Sequence, residues 1–282
     1  LLTAIPQAFA IASSGRCGPV LVDVPRDVQL EKITFEAWPE CGIKDNHSAR
    51  FRTVGQDFAN AVSESAKMLI NSKKPAIYVG GGCNSKQASD GIKALQEIFP
   101  MPLVSSLMGI GSFPASSELN LGMVGMHGHF AATKAMYQAD LIVAVGVRFS
   151  DRATGNKDKF ATGADIIHID IDAAEINKNI NVKVGVNCDV KSAIAQINEI
   201  IEKQTRPEWW EKLSSYREKE NQYTGDRFGS LTPYGVIDAV NKIKNDDTPI
   251  ATDVGQHQMW AAQFLHHTKP NHFLTSGGLG TM

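Results

Sequence analysis

The chain has 282 residues, 43% of them apolar and 21% charged, and its 28 basic and 30 acidic side chains leave a formal net charge of -2. This is the composition of a globular protein of about two domains, and the even charge balance gives nucleic acid or an anionic membrane surface nothing to hold. No apolar run approaches the roughly 18 residues that span a bilayer, so a cytoplasmic protein with no nucleic acid and no membrane partner is expected.

Cys17, Cys41, Cys83 and Cys188 are too far apart for a CxxC pair, and the pairs His127/His129 and His266/His267 fall in no HExxH or Cys/His metal spacing. Reduced thiols and no metal centre are expected. The chain opens on Leu1 without a basic or apolar leader and stops inside Ser276-Gly277-Gly278-Leu279-Gly280-Thr281-Met282, and neither end reads as a natural terminus.

In chain order, Ile5 to Ala12 reads as a helix and Pro19 to Val24 as a buried strand ended by Pro25. Glu31 to Arg50 shows neither periodicity and reads as a linker. From Gln56 to Asn71, Phe58, Ala61, Val62, Ser65, Ala66 and Leu69 form the stripe of an amphipathic helix. A strand Pro75 to Val79 follows, then a helix around Gln87 to Ile98, a strand Leu103 to Leu107, a helix Phe130 to Gln138, strands Leu141 to Val147 and Asp165 to Ile171, a helix from Ala173 and a long helix Val190 to Lys203. Short apolar runs alternating with amphipathic helices predict an α/β fold, a doubly wound parallel sheet covered on both faces. Arg206 to Ser230 reads as a second connector in which Pro207 opens a helix. Thr232 then caps a helix with Pro233 at its first position, running to about Lys244, before a strand Pro249 to Asp253 and a helix Gln256 to Leu265.

In such a sheet, ligands lie beyond the carboxyl ends of the strands. Gly80-Gly81-Gly82 lets backbone amides approach a phosphate, although Ser85 replaces the third glycine of GxGxxG and a tight turn explains the run equally well. Gly125-Met126-His127-Gly128 precedes a helix and offers amides to an anion or a flat ring, or else forms a turn with an apolar plug. Arg148 and Arg152, four apart after a buried strand, suit a phosphate or carboxylate, or pair with Asp151 or Asp158. Asp170 and Asp172 end the next strand, where an acid accepts from ribose hydroxyls. Asp172 also stands where a helix cap would, and the two roles divide between them. Together these groups favour an adenine dinucleotide. Gln256 and His257, at the strand-to-helix step after Asp253, suit a diphosphate, a histidine cap or core residue being the ordinary alternative. No Ser-His-Asp order, P-loop or paired catalytic carboxylates stand out, so the chain offers ligand-holding groups without a complete catalytic set.

The combination of Gly15-Arg16-Cys17-Gly18-Pro19-Val20, Gly80-Gly81-Gly82, Gly125-Met126-His127-Gly128, Arg148-Phe149-Ser150-Asp151-Arg152, Asp170-Ile171-Asp172, Gln256-His257-Gln258-Met259-Trp260 and Ser276 to Met282 resembles the catalytic subunits of acetohydroxyacid synthase, also called acetolactate synthase. The resemblance runs through nearly the whole chain in the right order. It implies the end of an N-terminal pyrimidine-binding domain (1–30), a linker (31–50), a central FAD-binding Rossmann-like domain (51–205), a connector (206–231) and the start of a C-terminal thiamin diphosphate-binding domain (232–282). The family decarboxylates pyruvate and joins the remaining two carbons to a second 2-oxo acid, giving acetolactate or acetohydroxybutyrate on the way to valine, leucine and isoleucine. It uses thiamin diphosphate, Mg2+ and an FAD that undergoes no net redox change. A homodimer or homotetramer with a small regulatory subunit is implied as well.

Carried over by position, Arg16, Gly80, Gly81, Gly82, Ser106, Leu107, Met126, His127, Gly128, Gly146, Arg148, Asp170, Ile171 and Asp189 resemble FAD contacts. Arg152 resembles the arginine beside the second substrate's carboxylate. Gly255, Gln256 and His257 resemble diphosphate contacts, and Gly280 and Met282 contacts of the aminopyrimidine. Cys17 stands where proline is usual and Ser150 where the family's Arg-Phe-Asp-Asp-Arg has its first acid. The glutamate that activates the pyrimidine and the Gly-Asp-Gly of the metal site are expected outside these 282 residues, which leaves no catalytic residue proper within them. Glyoxylate carboligase, which shares architecture and flavin, and a non-catalytic dinucleotide-binding module are the alternatives.

Overall fold

A computed structural model describes residues 2–34, 36–37, 56–225 and 231–277. The chain divides into two units, Leu1–Gly55 and Gln56–Met282. In the first, helices α1 (Ala4–Ala12) and α2 (Arg26–Leu30) flank an extended segment. The strand expected at Pro19 to Val24 is absent among the described residues: no neighbour supplies a ladder, and Leu21 is 87% exposed. A β-branched run without a partner strand has no hydrogen bonds to close it into a sheet. Most of the expected linker, from residue 38 to residue 50, lies outside the described residues, as do residues 51–55.

The second unit opens with α3 (Gln56–Asn71), followed by the strands of its larger sheet, β1 (Pro75–Val79), β2 (Leu103–Ser105), β3 (Asn120–Met123), β4 (Leu141–Val145), β5 (Asp165–Asp170) and β6 (Val184–Asn187). They form one parallel sheet in the order β3-β2-β1-β4-β5-β6. Helices α4 (Lys86–Ile98), α5 (Phe130–Gln138), α7 (Val190–Ile200) and α8 (Pro207–Gly225) cover it, and the short α6 (Asp151–Thr154) follows β4. Alternate side chains of β1 explain the two faces. Ile77 and Val79 join a core with Val62, Leu69, Ile92 and Ile194 from α3, α4 and α7, while Ala76 and Tyr78 join one with Ala132, Met136, Trp209 and Leu213 from α5 and α8. Both central strands are buried throughout, as a sheet covered on both sides requires. Trp209 also donates its Nε1–H to the Pro75 carbonyl at 3.0 Å, tying α8 to the start of β1.

Helices α3 and α5 and strand β1 have the bounds read from the sequence. The differences lie at ends and edges. Strands β3 and β6 carry no strand pattern in the sequence, because each is a four-residue edge strand that includes Gly and Asn. The helix expected from Ala173 is one turn of 3-10 helix, Ala173–Glu175. The last described segment holds α9 (Pro233–Ile243), β7 (Ile250–Thr252), α10 (Gln256–Phe264) and β8 (Phe273–Thr275), with β7 and β8 parallel. Thr232 caps α9 as expected, its Oγ1 accepting from the Gly235 amide at 3.1 Å. Ala261, Leu265 and Phe273 share a third core with Ile110 and Met123, which seats this segment beyond β2 and β3. That core brings the start of α10 to the same unit as the sheet's carboxyl edge.

Candidate cofactor site

The strand order reverses between β1 and β4, so the crevice of this fold opens where those two strands end. Their register pairs Val79 with Val145, and Gly80 and Gly146 emerge side by side. A Cβ at Gly80 would stand 2.2 Å from the Gly146 carbonyl oxygen, and one at Gly82 would stand 2.7 Å from the Gly146 Cα. Gly146 itself has φ +58°, a left-handed conformation that favours glycine. The Gly80 amide donates to Val145 at 2.9 Å and the Gly82 amide to Gly146 at 3.1 Å. Gly80 and Gly82 are therefore required by loop-on-loop packing, the bland alternative. Gly81 is exposed, and its amide makes no hydrogen bond among the described residues, so it is the donor left for an anion.

After Gly146 the chain turns through Val147, Arg148 and Phe149. Phe149 has φ +47° and is 3% exposed, its ring held edge-on to Tyr78, Phe160 and His168 at centroid distances of 5.8, 6.0 and 5.2 Å. A bulky residue keeps such a conformation only where packing over-determines it. The turn leaves Arg148 exposed at the crevice and starts α6, which carries the exposed Arg152. Neither guanidinium forms an ion pair among the described residues: Asp151 Oδ1 accepts from the Arg152 amide instead, and Arg152 Nη1 lies 3.7 Å from Met126 Sδ. The Met126 amide donates to the Arg152 carbonyl at 2.9 Å and Gly125 sits at φ +120°, so the Gly125–Gly128 loop and α6 form one lip, with Met126 64% exposed.

Asp170, at the end of β5, is 7% exposed; its Oδ1 accepts from the Asp172 amide at 2.8 Å, and burial holds its carboxyl above the usual range. Asp172 caps the following turn through the Ala174 amide at 3.0 Å, so the division of roles between the two aspartates has its structural half in place. Asn187, overlooked in the sequence, donates to the carbonyls of Asp170 and Ile171, both at 3.0 Å, and fixes that strand end. Asp189 caps α7 through the Lys191 amide at 2.9 Å, which occupies one carboxylate oxygen. Ser106 is half-buried beyond β2, and Leu107 packs into the third core beside Gly277. Cys83, behind the glycine loop, donates to Val145 at 3.1 Å, and burial pushes its thiol up to about 12.

In the last segment, Gly255 stands at the N-cap of α10 with no side chain to satisfy the first turn, and Gln256 and His257 are exposed beside it. The unsatisfied amides of such a turn suit a diphosphate. Gln258 is buried and donates to Thr275 Oγ1 at 2.6 Å, a structural link between α10 and β8. Gln263 Nε2 donates to the His127 carbonyl at 2.6 Å, which binds the Gly125–Gly128 loop to α10. Arg16 is exposed just after α1 in the first unit. Gly280 and Met282 lie outside the described residues. Among the described residues no cluster of three His, Cys, Asp or Glu side chains could hold a metal, and no helix is long and apolar enough to cross a membrane.

The sequence matches the central domain of thiamine pyrophosphate enzymes over residues 62–197 and their C-terminal TPP binding domain over residues 253–282. The chain carries domains of the thiamine pyrophosphate enzymes. The first match takes in the parallel sheet from β1 to β6, and the second begins at Asp253, two residues before the N-cap of α10. The chain is 42% identical to the acetolactate synthase large subunit of Mycobacterium tuberculosis over 99% of its own length and 45% of that protein's. It is 39% identical to the acetolactate synthase large subunit of Corynebacterium glutamicum, covering 99% of the chain and 45% of the relative. The chloroplastic acetolactate synthase of Arabidopsis thaliana is 40% identical over 99% of the chain and 42% of its own length. The chain thus spans less than half the length of these relatives.

Proposed function

We propose that the chain is the central part of the catalytic subunit of a biosynthetic acetolactate synthase. The observation that carries this is a dinucleotide crevice, Gly80 to Gly82 and Gly146 with Arg148 and Asp170, in one unit with a helix start suited to diphosphate, in a chain 42% identical to an acetolactate synthase large subunit. In this reading, FAD lies across the switch point without a covalent bond. The exposed Gly81 amide and Arg148 hold its diphosphate, and Asp170 accepts from a ribose hydroxyl. Ser106, Leu107, Met126, His127, Gly128, Ile171 and Asp189 line its path, and Arg16 is carried over as a further contact. The fit is supported by Gly81, where the backbone is open, and by Asp170, a buried acid with one oxygen uncommitted to the Asp172 amide.

Thiamin diphosphate, when bound, supplies the electron sink for decarboxylation of a 2-oxo acid. Gly255, Gln256 and His257 hold its diphosphate, Gly280 and Met282 touch its aminopyrimidine, and Arg152 orients the carboxylate of the second 2-oxo acid through its planar fork. Mg2+ ligands and the acid that activates the pyrimidine belong to the remainder of the protein, as do the contacts of a homodimer or homotetramer and of a small regulatory subunit. A cytoplasmic location suits such a protein.

Product analysis of the full-length protein tests this. Pyruvate should give acetolactate and, with 2-oxobutanoate, acetohydroxybutyrate, while the 282-residue chain alone should give neither. Preference for glyoxylate would support the carboligase reading instead, and acetolactate from the isolated chain would contradict the proposed division of the active site.

A further inference from the structure

His168 sits in the middle of β5, wholly buried, in the otherwise apolar run Ile166-Ile167-His168-Ile169. Its Nε2 lies 2.9 Å from the Val147 carbonyl. A carbonyl only accepts, so Nε2 carries a proton, and the neutral form that suits the site is the tautomer with its one proton there. Burial holds the ring below its usual range, in keeping with that form. The other nitrogen, Nδ1, is buried without a hydrogen-bond partner among the described residues. An apolar side chain would fill this place without leaving a buried acceptor unpaired, a feature that costs free energy. Besides Asp170 Oδ2, 3.8 Å from Nε2, what the imidazole gains against that cost is contact with one turn. It holds the Val147 carbonyl, and its ring meets the Phe149 ring edge-on at 5.2 Å. Asn179 completes the restraint, its Nδ2 donating to the Arg148 carbonyl at 2.8 Å. The two peptide units flanking Arg148 are thus pinned, one by His168 of β5 and one by Asn179, with Phe149 kept at φ +47°.

We propose that His168 is a positioning residue for Arg148, setting the turn that aims its guanidinium into the dinucleotide crevice through the Val147 carbonyl and the Phe149 ring. The inference rests on the reading of Arg148 as a flavin contact. An ordinary core residue would support folding alone. A positioning residue must act through Arg148, and the two roles separate in a double-mutant cycle.

The experiment measures FAD affinity and thermal unfolding of the full-length protein for wild type, His168→Phe, His168→Gln, Arg148→Ala and the double variant His168→Phe/Arg148→Ala. Phe keeps a ring and removes the donor, and should weaken FAD binding about tenfold, the effect of one buried hydrogen bond lost. Gln restores an amide donor near the Nε2 position and should recover most of that loss. In the Arg148→Ala background, His168→Phe should change FAD affinity less than about twofold, since the group it positions is gone. Should His168→Phe fail to fold, Asn179→Ala, which frees the Arg148 carbonyl from outside the core, replaces it in the same cycle. A tenfold effect that persists without Arg148, or an affinity equal to wild type in His168→Phe, overturns the inference while leaving the flavin reading intact. Wild-type protein that binds no FAD overturns both.

Discussion

Replacing Gly146 by Ala should abolish flavin binding and cost roughly 3 kcal/mol or more of stability, the sum of a left-handed backbone forced on a residue with a Cβ and a steric clash that no side chain can relieve. Gly146 has φ +58°, and a Cβ there would stand 2.6 Å from the Gly82 Cα and 3.0 Å from the Gly82 amide nitrogen. All these partners are backbone. Relief requires β1 and β4 to separate just where the crevice is formed, and their register from Pro75/Leu141 to Val79/Val145 resists that. Gly81→Ala is the matched control. Its Cβ would meet only Met108, the Cβ at 3.3 Å and the carbonyl oxygen at 3.8 Å, so its melting temperature should stay near wild type while any loss of FAD affinity reports on the exposed amide. Thermal unfolding and flavin titration of the two variants separate the packing role of the glycines from their ligand role. Wild-type stability and flavin content in Gly146→Ala would show that the two loops are not locked together.

Arg152→Ala should raise KM for the second 2-oxo acid by about 10- to 100-fold, the loss of a charge-assisted, bidentate hydrogen bond to a carboxylate. The substitution removes only the side chain. The Arg152 carbonyl still accepts from Met126, and Asp151 Oδ1 still accepts from the residue 152 amide, so the lip made by α6 and the Gly125–Gly128 loop persists. Arg152 is exposed and in no ion pair among the described residues, so little folding energy is at stake. Lys at this position should recover only part of the affinity, because an ammonium lacks the planar fork. Steady-state kinetics with 2-oxobutanoate in competition with pyruvate read the effect. An unchanged KM would place the substrate carboxylate elsewhere.

The alternation of runs and stripes was legible where elements are long and central: β1, β4, α3 and α5 follow from apolar patterning, because both faces of the sheet are buried. Asn120–Met123 and Val184–Asn187 carried no such pattern, since an edge strand of four residues buries only alternate side chains. Pro19 to Val24 had the composition of a strand, but composition does not supply a neighbour. Candidate residues could be found because the fold gathers every strand's carboxyl end at one edge. What could not be read was which glycine serves packing and which is open, a matter of the β1/β4 register. His168 did leave a signal, one polar residue inside an apolar strand. Asn179 and Asn187 left none, because their carbonyl partners lie 31 and 16 or 17 residues away.

The central claim is that the edge formed by Gly80 to Gly82, Gly146, Arg148 and Asp170 holds FAD without a covalent bond in a protein that makes acetolactate. The most direct measurement is the flavin content of the purified full-length protein, released by denaturation, alongside its acetolactate activity before and after flavin removal. The account predicts intact FAD, one per chain, with activity lost on its removal and regained on its return. Acetolactate formation at full rate by protein that contains no flavin would contradict it.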